Sequence, residues 1–178
     1  MSYVKKCKNF TGEFFFGDDS VGDKSFPWEQ EIGPAIKKCT GWTLSPKPRI
    51  IGQGAFGSVI KGELRKTQAF ITRKRPVAIK IQKMRKEALA SFEKESTYGW
   101  KLGELELGPK IYNTFYYTLT NKGVDSKSIR TITIMEPFKY SGGQAMVSPF
   151  TIAQSNEVFR QMLLIIHRVT ASGIFCRD

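Results

Sequence analysis

The sequence predicts an α+β fold: a five-stranded antiparallel sheet with one long helix packed on it, then a second helix outside the sheet. Three observations predict it. β-branched and aromatic runs recur from residue 49 onward, separated by breaks rich in glycine, proline and polar residues. Their order along the chain is strand, strand, strand, helix, strand, strand, helix. Apolar residues then return at helical spacing near the end of the chain.

Residues 1–41 show no clean period. Basic Lys5, Lys6 and Lys8 lead to Phe14-Phe15-Phe16, then to Gly17-Asp18-Asp19-Ser20, with Pro27, Gly33 and Pro34 as punctuation. This segment reads as an irregular extension of unclear role, with one short helix near residues 35–39. From Trp42 the character changes. Arg49-Ile50-Ile51 and residues 58–64 are short β-prone stretches either side of a glycine-rich turn. Arg73-Lys74-Arg75-Pro76 leads into a third strand at Val77-Ala78-Ile79-Lys80-Ile81. Residues 83–105 read as a helix with Phe92, Glu95, Gly99 and Leu102 on one face, stopped by Gly108-Pro109. Two more strands follow at 111–119 and 129–135. Residues 155–172 form the second helix, with Phe159, Met162, Leu163, Ile166 and Val169 on one stripe and Ser155 as the N-cap. The division predicted is therefore 1–41, 42–140 and 141–178.

Composition bounds the function classes. The chain has 178 residues, 40% of them hydrophobic and 12% aromatic, which is enough for one packed domain. The longest aliphatic run, Met162-Leu163-Leu164-Ile165-Ile166, falls far short of the roughly 20 residues of a membrane span. Phe14-Phe15-Phe16 is too short for the apolar part of a signal peptide. Cys7, Cys39 and Cys176 are too few for a disulfide framework and include no CxxC pair, so a cytoplasmic, intracellular protein with reduced thiols is expected. The net charge is +12, with basic clusters at Lys5/Lys6/Lys8, Lys37/Lys38, Arg65/Lys66, Arg73/Lys74/Arg75 and Lys83/Arg85/Lys86. No recognisable nucleic-acid module accompanies them, so charge alone does not assign a nucleic-acid partner.

The chemistry concentrates in Gly52-Gln53-Gly54-Ala55-Phe56-Gly57. A dinucleotide-binding reading needs a helix after these glycines and an acidic residue about 20 positions on. Here a strand follows, and the region near Arg73 is basic. A P-loop needs Lys-Ser/Thr after the last glycine, but Ser58 follows Gly57 directly. The remaining functional reading is a glycine-rich hairpin, closed by Val59, whose backbone approaches nucleotide phosphates; the plain alternative is an ordinary hairpin. Lys80, on the next strand, can neutralise such phosphates but needs a carboxylate to orient it. Glu95 shares the inward face with Phe92 and is the first candidate, Glu93 the second and Glu87 the third.

Taken in order, these motifs resemble the eukaryotic-type protein kinase family. Residues 52–59 are similar to its glycine-rich loop, Val77-Ala78-Ile79-Lys80 to its VAIK strand, and Glu95 to its αC glutamate. Thr133-Ile134-Met135-Glu136-Pro137-Phe138 resembles the strand entering the hinge, with Met135 as gatekeeper and the backbone of Glu136 and Phe138 facing adenine. Cys176-Arg177-Asp178 is similar to the start of the catalytic loop, with Cys176 where histidine is usual. The resemblance covers roughly residues 45–178 and implies the N-terminal lobe of a kinase, its hinge and one C-lobe helix. It implies an ATP site of Gly52, Gly54, Ala55, Phe56, Gly57, Val59, Ala78, Lys80, Met135, Glu136 and Phe138. Lys80, Glu95 and Asp178 would be the catalytic residues, with Asp178 as base.

The chain departs from the pattern where it stops. The family's Mg²⁺-holding Asn and DFG Asp, and its APE segment, would follow Asp178, so Mg²⁺ is implied but has no ligands here. The expectation is Ser/Thr-type protein phosphotransfer by the complete parent protein, with the 178-residue chain inactive alone. A different class of reading is a non-catalytic kinase-like module that binds another kinase or regulator. Its exposed apolar helix would bind a partner or self-associate. His167, in that helix, reads as a surface or packing residue.

Overall fold

A computed structural model of the chain describes residues 3–7, 10–12, 31–46, 48–54, 57–121, 127–138 and 151–174. Among them the sheet has eight strands rather than five, and it is mixed rather than antiparallel. The strands are β1 (Lys5–Lys6), β2 (Phe10–Gly12), β3 (Thr43–Leu44), β4 (Arg49–Gly54), β5 (Gly57–Gln68), β6 (Ile71–Met84), β7 (Ile111–Asn121) and β8 (Lys127–Met135). The helices are α1 (Gly33–Thr40), α2 (Leu89–Glu104) and α3 (Ile152–Ala171).

Five long strands, in the order β4–β5–β6–β8–β7, are antiparallel throughout. The additions lie at the two edges. β3 lines up with β4 along the outer side of β5, whereas β1 and β2 run parallel to β7. β1 and β2 are two and three residues long, too short to show a period of two, so the composition of residues 1–41 could not announce them.

Alternation along the strands separates two unlike faces. One presents Ile60, Leu64, Val77, Ile79, Ile81, Phe115, Tyr117, Ile132 and Ile134, all buried. It is covered by α1 and the turn before it, through Ile32, Ala35, Ile36 and Cys39. Full burial of an isoleucine is worth about 1.5–3 kcal/mol, so Ile32 and Ile36 alone tie this segment firmly to the sheet. Cys7 and Cys39 lie in the same core and are joined by a disulfide, their Cα atoms 5.9 Å apart. This corrects the expectation of reduced thiols. Glu31 is buried there too, accepting hydrogen bonds from the Tyr117 hydroxyl (2.8 Å) and Arg130 Nε (3.1 Å). The described parts of the N-terminal segment thus belong to the domain, β1 and β2 as edge strands and α1 as a second layer.

The opposite face is mixed, with Gln82, Thr114, Thr131 and Thr133 buried on it beside Ala78, Ile111 and Ile129. α2 lies against this side through Phe92 and Ser96, the two buried residues of its sixteen. α2 begins later than the apolar pattern suggested, because β6 continues to Met84 and a 3₁₀ turn occupies Lys86–Ala88. Its Gly99 permits close approach: a Cβ there would sit 2.7 Å from the Ile111 side chain.

α3 starts three residues before the expected point. Its cap is Thr151 in place of Ser155: the Thr151 hydroxyl accepts from Gln154 N–H, while the Gln154 side chain accepts from Thr151 N–H. Phe159, Met162, Leu163 and Ile166 stay exposed along it. His167 lies on its surface, lining a shallow hollow with Leu105 and Leu107. Among the described residues no helix is long and apolar enough to cross a membrane.

Candidate functional site

Strand register assembles the site. Gly52 pairs with Val59, Val59 with Lys80, Lys80 with Thr133, and Thr133 with Thr114, which makes one transverse row across five strands. Paired residues share a face, so Gly52, Val59 and Lys80 all lie on the side that carries α2. Ala78 and Met135, also paired, stand in the neighbouring row on that same side. The apolar Val59, Ala78 and Met135 therefore stand around Lys80, with Lys61, the partner of Ala78, further out on the same side.

Lys80 Nζ donates to Glu95 Oε1 at 2.5 Å, across 15 residues of chain. The pair is partly solvated, with side-chain exposures of 32% for Lys80 and 55% for Glu95. An ion pair this exposed contributes at most about 1 kcal/mol to stability, so its consequence is positional. It holds the ammonium on the α2 side of β6, next to the glycine hairpin. Glu93 and Glu87 are exposed and form no ion pair among the described residues.

The hairpin is closed by Gly54 opposite Gly57. Gly57 has φ +137°, and a Cβ on it would lie 2.1 Å from the Ile81 carbonyl oxygen. Only glycine fits: Gly57 lies directly on the backbone of β6. Gly57→Ala combines a backbone clash with a disfavoured φ and will cost about 2–4 kcal/mol of unfolding free energy, read from the urea midpoint. Gly52 differs, since a Cβ there would meet only the Val59 Cβ, at 3.9 Å.

Beyond Met135 the chain turns past the end of β7, where Glu136 N–H donates to the Lys110 carbonyl at 2.9 Å. Glu136 and Phe138 are exposed. Ala55, Phe56 and Asp178 lie outside the described residues. Sequence reasoning missed the threonine row beneath α2, Thr114, Thr131 and Thr133. The signal was available, because Thr131 and Thr133 alternate with Ile132 and Ile134, which is the pattern of a strand with one apolar and one polar face. Among the described residues no group of three or more His, Cys, Asp or Glu side chains could hold a metal ion.

No protein-family model matches the chain, and no curated protein matches it significantly.

Proposed function

We propose that the chain is the ATP-binding part of a protein kinase, with Ser/Thr-type phosphotransfer belonging to the complete parent protein. The observation that carries this reading is the Lys80–Glu95 pair lying in register with Val59 of the glycine hairpin. Lys80 would neutralise the α- and β-phosphates, Glu95 would hold Lys80 in place, and the backbone of Gly52, Gly54 and Gly57 would approach the phosphates. Val59, Ala78 and Met135 would flank the base, and the backbone at Glu136 and Phe138 would meet its edge. Asp178 would accept the substrate hydroxyl proton. Mg²⁺, when bound to the nucleotide, offsets phosphate charge, but no step here is routed through it.

Binding of a fluorescent ATP analogue to the purified chain tests the reading. Lys80→Ala removes a charge-assisted contact worth about 1.5–3 kcal/mol, so affinity will fall roughly 10- to 100-fold while the far-ultraviolet spectrum stays unchanged. Gly52→Ala will weaken binding without loss of stability, since its Cβ has room in the fold but faces the phosphate side. Equal affinity in the parent chain and the Lys80→Ala variant would exclude the site. The exposed apolar face of α3 favours a second reading, a kinase-like module that binds a partner protein through this helix.

A further inference from the structure

The β5–β6 hairpin is longer than the site requires. β8 pairs with β6 only from Ala78 onward, and β3 pairs with β5 no further than Arg65. Residues 66–73 therefore form a two-stranded ribbon with no strand on either side among the described residues, and every residue from 65 to 76 is exposed. Pro76 falls beyond the pairing with β8, where no N–H is needed for that strand.

Charge on this ribbon is one-signed. No Asp or Glu occurs from Leu64 through Lys86, whereas Arg65, Lys66, Arg73, Lys74 and Arg75 all fall on the ribbon. Arg65 is engaged by Glu63 at 2.7 Å. Arg75 is braced at the base, its guanidinium 4.5 Å from the Tyr112 ring centroid and 5.1 Å from that of Trp42. Lys66, Arg73 and Lys74 have no ion-pair partner among the described residues. Register places Arg65 and Lys74 on one face and Lys66 and Arg73 on the other.

The tip is as unusual as the stem. Ala69 (φ 46°) and Phe70 (φ 69°) occupy the two central turn positions with left-handed backbone, where Asn-Gly would be the low-strain choice. A phenylalanine in that conformation costs about 1–3 kcal/mol, and here its side chain is fully exposed, at 105% of the reference area.

A ribbon with cations on both faces suits a surface that carries anions on both sides of it. The duplex major groove, about 12 Å wide, admits a two-stranded ribbon between two walls of phosphate. A planar anionic membrane presents its charge on one side only. We propose that this hairpin is a nucleic-acid-binding arm that enters the duplex major groove, with Lys66, Arg73 and Lys74 on the phosphates and Phe70 in apolar contact with the base edges. The inference is independent of the ATP reading.

The test is fluorescence anisotropy of the full chain with a labelled random-sequence duplex, titrated at several NaCl concentrations from 50 mM upward. Each phosphate contact contributes roughly 0.9 to the slope of log K against log salt. Combined Lys66→Gln, Arg73→Gln and Lys74→Gln will therefore flatten the slope by about 2–3 and weaken binding at low salt. Removing three charges elsewhere, by Lys94→Gln, Lys101→Gln and Lys110→Gln, will leave the slope unchanged. Phe70→Gly, which suits the left-handed backbone, will weaken duplex binding at every salt concentration while keeping the slope. No duplex binding at 50 mM NaCl, equal slopes in the two triple variants, or tighter binding to a single strand would each overturn the proposal. So would ribbon-dependent binding to phosphatidylserine vesicles without duplex binding.

Discussion

Glu31→Ala will lower the unfolding free energy by roughly 3 kcal/mol, because it leaves the partly buried Arg130 guanidinium and the buried Tyr117 hydroxyl without their shared acceptor. Glu31 is only 1% exposed and Arg130 16%, so water replaces the lost partner only in part, and least of all for Tyr117. The loss is one of pairing, and a combined change separates it from packing. Glu31→Leu with Arg130→Leu and Tyr117→Phe removes all three polar groups together and will regain most of the stability. Urea unfolding of the single and triple variants is the measurement; a triple variant as weak as the single would place the loss in shape. pH dependence follows from the same cluster. Burial, reinforced by the Glu31 carboxylate, pushes the Tyr117 phenol well above its ordinary value of 10.0. Its contribution is fully present below pH 10 and is lost above it, because the unfolded chain releases the proton while the folded chain retains it. The expected slope is about 1.4 kcal/mol per pH unit above pH 10, and Tyr117→Phe will abolish that component.

Opening the Cys7–Cys39 bond is the second large effect expected. The bond closes a loop across a separation of 32 residues. The chain-entropy relation gives a stabilisation of about 3–4 kcal/mol for such a loop. In a chain of this size that corresponds to a fall in Tm of roughly 10 °C. Thermal unfolding with and without reductant reads it directly, with Cys7→Ser as the variant that must match the reduced chain and Cys176→Ser as the control. A Tm indifferent to reductant would contradict the bond. Fold stability thus depends on redox state, which the three scattered cysteines did not suggest.

What the sequence could reveal depended on repetition. Val77-Ala78-Ile79 and Ile132-Thr133-Ile134 repeat often enough to read as strands, and the stripe from Phe159 to Val169 reads as a helix. Lys80 and Glu95 were legible as a pair because helical phase alone separates Glu95 from Glu93. Elements that depend on distant partners stayed hidden. Lys5-Lys6 becomes a strand only because the edge of β7 accepts it, and no local pattern encodes that. Glu31 belongs to no motif; its burial is set by Tyr117 and Arg130, about a hundred residues away. The outer half of the β5–β6 ribbon is polar and basic on both faces, so it lacks the apolar alternation that marks a strand. Its turn also carries Ala69-Phe70 instead of the residues that usually signal a hairpin.

The parallel pairing of β1 and β2 with β7 has a consequence during synthesis. Lys5 pairs with Phe115, so the first strand leaves the ribosome long before its partner exists. At about 5–20 residues per second, some 75 residues separating α1 from that strand take roughly 4–15 s to emerge. During this interval β4, β5 and β6 emerge and offer Ile32 and Ile36 only part of their sheet, while Cys7 and Cys39 are both already outside. Both thiols precede β7 in the chain, yet Cys7 is held in place by β7 itself, its N–H donating to the Tyr116 carbonyl at 2.8 Å. Cross-linking is therefore expected late, after β7 has fixed Cys7 beside α1, and not on the open nascent chain.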